Sequence, residues 1–137
     1  LDVVEAFAPW AYSVHLKDMA VRPYEDGFLL AGVPLGEGLL DLARMVDLLR
    51  RARPEVQFSL EMMTRDPLKI PCLTERYWAT LSDVPGSQLA RTLAMVRDRA
   101  AKRPFPRISD LMPKDKLAAE DNNVRRSLAY AREHLGL

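Results

Sequence analysis

The sequence has little cysteine, no long apolar run and no excess of charge of one sign. Its only cysteine is Cys72, which excludes an internal disulfide and a cysteine-built metal cluster. No apolar run approaches the roughly 20 residues that a membrane-spanning helix needs. The 20 Lys and Arg residues nearly balance the 19 Asp and Glu residues, and a net charge of +1 gives no basic field for nucleic acid. We therefore expect neither nucleic acid nor a membrane as a partner.

Length and composition are typical of a soluble globular domain. The chain of 137 residues has the length of one ordinary domain, and its 48% apolar and 28% charged residues are usual for soluble proteins. It begins at Leu1, without a methionine or a signal peptide, so we expect that Leu1 is not the natural start. We expect a cytoplasmic protein; a signal peptide lost with the natural start would change that expectation.

Two short segments alternate between apolar and polar residues, which predicts strands with one apolar face. The apolar and polar rows of residues 11–17 are Tyr12, Val14, Leu16 and Ser13, His15, Lys17. The corresponding rows of residues 56–61 are Val56, Phe58, Leu60 and Gln57, Ser59, Glu61. Each polar row ends in an ionisable side chain at the carboxyl end of its strand.

Helices and loops fill the rest of the chain in a regular order. The apolar spacing of helices occurs in residues 2–8, 39–53, 87–102 and 115–135, with a helical turn at 74–81. Long loops follow both strands, at residues 18–38, with room for a short hairpin around 28–33, and at residues 62–73. Strand–helix–strand connections of this length produce parallel βα units. We divide the chain into residues 1–102 and residues 103–137, the latter a linker and a final helix.

The polar rows of the two strands are the strongest physical sign of a functional site. In open doubly wound sheets, helices cover both faces, and parallel strands are almost continuously apolar. A polar inner row followed by long loops is typical of the catalytic mouth of a (β/α)8 barrel, where the strand ends carry the active site. We therefore predict an α/β fold that belongs to such a barrel.

His15 and Glu61 are candidate metal ligands, because an imidazole nitrogen and a carboxylate oxygen suit Mn, Co, Zn or Mg. Two ligands do not hold a metal tightly, and the other histidine, His134, lies near the end of the last helix. We expect Glu61 to be buried, where an unpaired carboxylate is costly and needs a metal, a cation or a proton. An ion pair between Lys17 and Glu61 is therefore the competing, purely structural explanation.

Three segments resemble the xylose isomerase-like TIM-barrel family of sugar phosphate isomerases and epimerases. Residues 14–18 (Val-His-Leu-Lys-Asp) closely resemble one of its strands, and residues 58–61 (Phe-Ser-Leu-Glu) are similar to its final strand. Residues 32–38 (Gly-Val-Pro-Leu-Gly-Glu-Gly) are similar to its glycine loop before the next helix. The resemblance covers about residues 1–81, in the order and spacing of the family.

The resemblance implies that the two strands are the seventh and eighth of a (β/α)8 TIM barrel that carries a C-terminal helical extension. It implies that His15 and Glu61 are metal ligands, that Glu61 is also the catalytic base, and that Lys17 and Arg22 contact the substrate. The family's ligands on the fifth and sixth strands have no counterpart in this chain. The implied cofactor is a divalent ion (Mn, Mg, Co or Zn), and the implied partner is a small sugar or sugar phosphate.

The implied activity of the full-length protein is that of an isomerase or epimerase of carbohydrate metabolism, which moves a proton beside a carbonyl through an enediolate. An inosose-type dehydratase of the same family shares this chemistry, and a non-catalytic barrel that binds a sugar or a partner protein is the alternative. Apurinic endonucleases of the same superfamily are excluded, because Leu30 and Gly32 stand where they carry an Asp and a His. Two roles are open for Arg65 and Lys69, contact with a phosphate of the substrate or a position in solvent. We expect the position in solvent. The final helix covers the barrel or forms the contact of a homo-oligomer.

Overall fold

Two small β-sheets organise the computed structural model, which describes residues 1–81 and 83–137. In the first sheet, β1 (Ser13–Leu16) pairs in parallel with β4 (Gln57–Leu60). The second sheet is antiparallel and has the order β2, β3, β5, which are Asp18–Tyr24, Gly27–Val33 and Leu68–Ile70. The described part of the chain is therefore a mixed α/β structure.

Four α-helices pack around these sheets in the described residues: α1 (Asp2–Phe7), α2 (Leu42–Ala52), α3 (Gly86–Asp98) and α4 (Pro113–Tyr130). Short 3-10 turns span Ala8–Trp10, Glu75–Trp78 and Ile108–Asp110, and α4 continues into a π turn at Ala131–Leu135. No helix among the described residues is both long enough and apolar enough to cross a membrane.

The unit β1–α2–β4 confirms the predicted parallel pairing of the two alternating segments. Its register places His15 opposite Ser59 and Leu16 opposite Leu60. The ladder continues one residue further, since the Glu61 amide donates to the Leu16 carbonyl at 2.9 Å. Both strands therefore end at the same edge of the sheet, and the residues that follow them lie side by side.

This small sheet buries only one of its two faces. Its apolar row packs against α2 and the end of α4 in a core of Leu16, Leu35, Leu42, Val46, Ala131 and Leu135, with Val14, Phe58 and Leu60 at its margin. The opposite face has no such cover, because Ser13, His15, Gln57 and Ser59 are all exposed. Tyr12 departs from the predicted apolar row. It precedes β1, its side chain is exposed, and the Arg53 guanidinium lies 3.4 Å from its ring centre.

Most of the predicted loop at residues 18–38 is a hairpin of two seven-residue strands, β2 and β3, which begins earlier than the short hairpin expected around residues 28–33. Pro23, within β2, and the lack of strict alternation conceal this strand in the sequence. Gly27 closes the turn with a φ of 152°, and a Cβ there would meet the Ile70 carbonyl oxygen at 2.2 Å. The second predicted loop, residues 62–73, contains β5, which extends the same sheet.

The final helix packs onto the segment between β3 and α2. The fully buried Ser127 hydroxyl accepts from the Leu35 amide at 3.3 Å and donates to the Asn123 carbonyl at 2.8 Å. The Tyr130 ring lies against Gly36, where a Cβ would be 2.1 Å from a ring carbon. At the other end, Arg50 of α2 donates to the carbonyls of Leu135 and Gly136. The helix thus covers the described βα unit.

The assignment of residues 1–102 to a barrel stays a prediction.

A buried carboxylate organises the same segment. Asp18, 1% exposed, accepts hydrogen bonds from four backbone amides, those of Met19, Gly36, Gly38 and Leu40, at 2.9–3.3 Å. A Cβ at Gly38 would lie 2.0 Å from the Asp18 carboxylate oxygen Oδ1. Gly38 therefore allows the backbone of this segment to approach the carboxylate that follows β1.

We predict that Asp18→Asn lowers the free energy of unfolding by about 2–4 kcal/mol. Both carboxylate oxygens of Asp18 accept from backbone amides, so the NH2 group of the asparagine would face another donor in either orientation of the side chain. Urea unfolding measures the change. The control is Asp98→Asn, since Asp98 is exposed and its ion pair is with the neighbouring Arg99. We expect the control to stay within about 0.5 kcal/mol of the wild type. Equal losses in the two variants would contradict the organising role of Asp18.

Candidate functional site

The structure brings together three of the predicted site residues at the carboxyl ends of β1 and β4. Lys17 Nζ donates to Glu61 Oε1 in an ion pair. His15 Nδ1 lies 3.5 Å from Glu61 Oε2, the other oxygen of the same carboxylate. Glu61 is therefore the centre of the cluster, and each of its oxygens has a basic neighbour.

The expectation that Glu61 is buried is wrong for the described chain. Its side chain is 38% exposed, Lys17 is 33% exposed, and His15 is 66% exposed. These side chains lie on or beside the uncovered face of the β1–β4 sheet. Water therefore solvates the cluster, and a ligand can approach it directly.

Lys17 is the main electrostatic influence on Glu61. Its hydrogen bond is the largest influence and lowers the pKa of the Glu61 carboxyl. Burial is the second largest and raises that pKa, and the charge of Lys17 and the neighbouring His15 lower it further. Glu61 is thus an anion at neutral pH. The Lys17–Glu61 ion pair, which we expected as the purely structural explanation, is present. Because His15 lies beside the other carboxylate oxygen, the geometry is also compatible with a role of Glu61 as a metal ligand.

The His15–Glu61 pair fits two adjacent positions of a metal coordination shell. With metal–ligand bonds of about 2.1 Å, neighbouring ligand atoms lie roughly 3.0–3.4 Å apart. The observed separation of 3.5 Å between His15 Nδ1 and Glu61 Oε2 is close to that range. Among residues 1–81 and 83–137, however, no group of three His, Cys, Asp or Glu side chains is arranged to hold a metal. The described residues therefore bring two candidate ligands together and do not by themselves complete a metal site.

Arg22, the other predicted substrate-binding residue, lies in a different place. It follows Lys17 by five residues along β2 and lines a cleft beside Leu29 and Lys69. Lys17 and Glu61 instead line a crevice of about 20 Å³ with Asp18 and Arg65, room for roughly one water molecule. The structure thus joins Lys17 to Glu61 and does not bring Arg22 to them.

Asp18 is the residue of this region that sequence reasoning missed. We assigned it to the start of a loop, whereas its buried carboxylate fixes the segment beside the site. A signal for this role was present in the sequence. Asp18 directly follows a predicted strand and offers a hydrogen-bond acceptor, and the glycines Gly36 and Gly38, about twenty residues later, belong to a loop with free backbone amides. Arg65, predicted to lie in solvent, is exposed and borders the crevice at Glu61.

No protein-family model matches the chain, and no curated protein or solved structure matches it significantly. The resemblance to the xylose isomerase-like family therefore stays a prediction that rests on the three segments quoted above.

We predict that Lys17→Met raises the pKa of Glu61 towards its ordinary value, because the largest cause that lowers it is lost. His15→Ala should raise the pKa by less, since the hydrogen bond and charge of His15 have smaller effects. Carboxyl-carbon NMR titration measures both shifts. Lys102→Met, at an exposed lysine elsewhere, is the control and should leave the pKa of Glu61 unchanged. A larger shift in His15→Ala than in Lys17→Met would show that the order of these influences is wrong.

Proposed function

We propose that this chain belongs to a metal-dependent isomerase or epimerase that acts on a sugar or sugar phosphate. The observation that supports this proposal is the joining of His15, Lys17 and Glu61 at the ends of two adjacent parallel strands. Strand ends of this kind carry catalytic groups in α/β enzymes. The open polar face beside them leaves room for a small polar substrate.

In this proposal His15 and Glu61 provide two ligands of one divalent ion. Their donor atoms are of the types that Mn, Mg, Co or Zn accept, and they are suitably close. A stable site needs at least one further ligand, and substrate oxygens or water complete the shell. When bound, the ion supplies positive charge that stabilises negative charge on the oxygens of an open-chain sugar.

The lowered pKa of Glu61 favours its role as a ligand over its role as a base. A general base works best when its pKa lies near the working pH, whereas Lys17 and His15 move the pKa of Glu61 away from neutrality. Glu61 is thus a constant anion that attracts a cation, and the proton transfer needs a second, more basic group. Lys17 holds Glu61 in place and can donate a hydrogen bond to a substrate oxygen.

A second candidate function is a non-catalytic protein that binds a sugar or a partner protein. The ion pair between Lys17 and Glu61 favours it, because this contact satisfies one carboxylate oxygen without any metal. A dehydratase of the inosose type shares the chemistry of the first candidate and differs from it in the step after proton removal. Metal binding therefore separates the two candidates more cleanly than a search for one substrate.

We predict that the chain binds Co²⁺ or Zn²⁺ weakly at one site, because the described residues supply two ligands, and that His15→Ala and Glu61→Gln each weaken binding by about tenfold or more. Calorimetric titration measures the affinity. The matched control is His134→Ala, because His134 is the other histidine and its exposed ring packs on Tyr130, away from Glu61. We expect the control to bind as tightly as the wild type.

An equal loss in His134→Ala would assign the metal to unspecific histidine binding and would overturn the proposed site. Absence of any divalent-ion binding by the wild type would favour the non-catalytic candidate instead. For a chain that binds metal, incorporation of deuterium from D2O beside the carbonyl of aldose and ketose test compounds reports the proposed proton transfer. That incorporation should be lost in Glu61→Gln.

A further inference from the structure

A second cavity lies on the antiparallel sheet and is separate from the cluster around Glu61. It has a volume of about 420 Å³ and opens between the sheet and residues 104–107. This volume is within the range of small-molecule sites, roughly 300–1,000 Å³. Neither His15 nor Glu61 lines it.

The strand register places two cations on the same side of this sheet. Arg22 of β2 is directly opposite Leu29 of β3, and Leu29 is directly opposite Lys69 of β5. Directly opposite residues of antiparallel strands project from the same face, and adjacent strands lie about 4.8 Å apart. Arg22 and Lys69 therefore flank an apolar side chain, with their backbones roughly 10 Å apart.

The segment 104–107 forms the other wall of the cavity and is held in place by the two residues that follow it. Ile108, which follows it, is buried, and the Ser109 amide donates to Asp66 Oδ1 at 2.8 Å. These contacts keep the partly buried Phe105 ring at the cavity. Hydrogen bonds from Ser109 also lower the pKa of Asp66, so this carboxylate is ionised at neutral pH. It already accepts a hydrogen bond from the Ser109 amide.

The cavity has an excess of positive charge. Its lining contains Arg22, Lys69 and Arg107 against the single carboxylate of Asp66, three positive charges against one negative charge. Arg107 is paired with Asp110 at 3.3 Å. No carboxylate of residues 1–81 and 83–137 lies within ion-pair distance of Arg22 or Lys69. Lys69 Nζ lies 5.9 Å from the centre of the Tyr24 ring.

We propose that this cavity binds a small organic anion, a phosphate or carboxylate attached to a flat apolar group. The anionic head lies between Arg22 and Lys69, whose guanidinium and ammonium groups provide charge-assisted hydrogen bonds. The apolar part lies between Leu29 and Phe105, which supply the apolar walls of the cavity. This site is separate from the cluster around Glu61, since the two cavities share no lining residue.

The test uses phenyl phosphate, inorganic phosphate and phenol as separate probes, each followed by NMR titration of the labelled chain. We predict saturable binding of phenyl phosphate, with a dissociation constant on the order of 1 mM, and shifts at Leu29 and Phe105. Inorganic phosphate should bind about tenfold more weakly, because it does not bury a ring. Phenol should bind more weakly still, because it carries no anionic group.

Substitutions then identify the groups responsible. Arg22→Gln and Lys69→Gln should each weaken phenyl phosphate binding by about tenfold, the loss of one charge-assisted hydrogen bond. Phe105→Ala should weaken phenyl phosphate binding and leave phosphate binding unchanged. The matched control is Arg103→Gln, at an exposed arginine that does not line the cavity. Glu61→Gln should also bind normally, which separates this site from the proposed metal site.

Equal binding by Arg22→Gln, Lys69→Gln and Arg103→Gln would overturn the proposal, as would a wild type that binds phosphate and phenyl phosphate alike. Thermal unfolding of every variant verifies that it is folded. If the half-buried Arg22 proves necessary for folding, Lys69→Gln decides the question, because Lys69 is exposed on the outer strand of the sheet.

Discussion

The buried carboxylate of Asp18 is the interaction on which most of the described structure depends. It joins the end of β1 to the segment between β3 and α2 through three backbone amides, those of Gly36, Gly38 and Leu40. That segment is also the surface on which α4 packs, through Leu35 and Gly36. Because Lys17 is the preceding residue, the same carboxylate fixes the backbone from which Lys17 reaches Glu61. The candidate site and the packing of the last helix therefore both depend on the hydrogen bonds of the Asp18 carboxylate.

The unequal faces of the β1–β4 sheet explain why a charged cluster is stable there. One face is covered by α2 and the end of α4, and the other face is open to water. Parallel strands are usually covered on both faces, so this exposed polar row is unusual and is compatible with a functional role. Solvation also means that the Lys17–Glu61 contact contributes little stability, as is general for exposed ion pairs. A ligand can replace such a contact at low cost.

The sequence predicts the local pattern of this chain better than its long-range contacts. Strict alternation located β1 and β4, and the 3.6-residue stripe located α2, because each signal depends only on neighbours in the chain. The strand β2 escaped detection, since Pro23 and the buried Asp18 break the alternation that identifies a half-covered strand. The meeting of Lys17 with Glu61 was predictable from parallel strand ends, whereas the position of Arg22 depends on a hairpin that sequence reasoning treated mostly as a loop.

The two candidate sites differ in their charge balance, and this difference indicates that they select different ligands. Around Glu61, both signs of charge are present and partly neutralise each other, so a cation has to compete with Lys17 for the carboxylate. Arg22 and Lys69 form no ion pair in the described residues, although Asp66 lines the same cavity, so an anion displaces no paired carboxylate from them. Binding at the first site should therefore depend on the displacement of Lys17 from the carboxylate. Binding at the second should depend chiefly on ionic strength, because salt screens an uncompensated charge at an open surface.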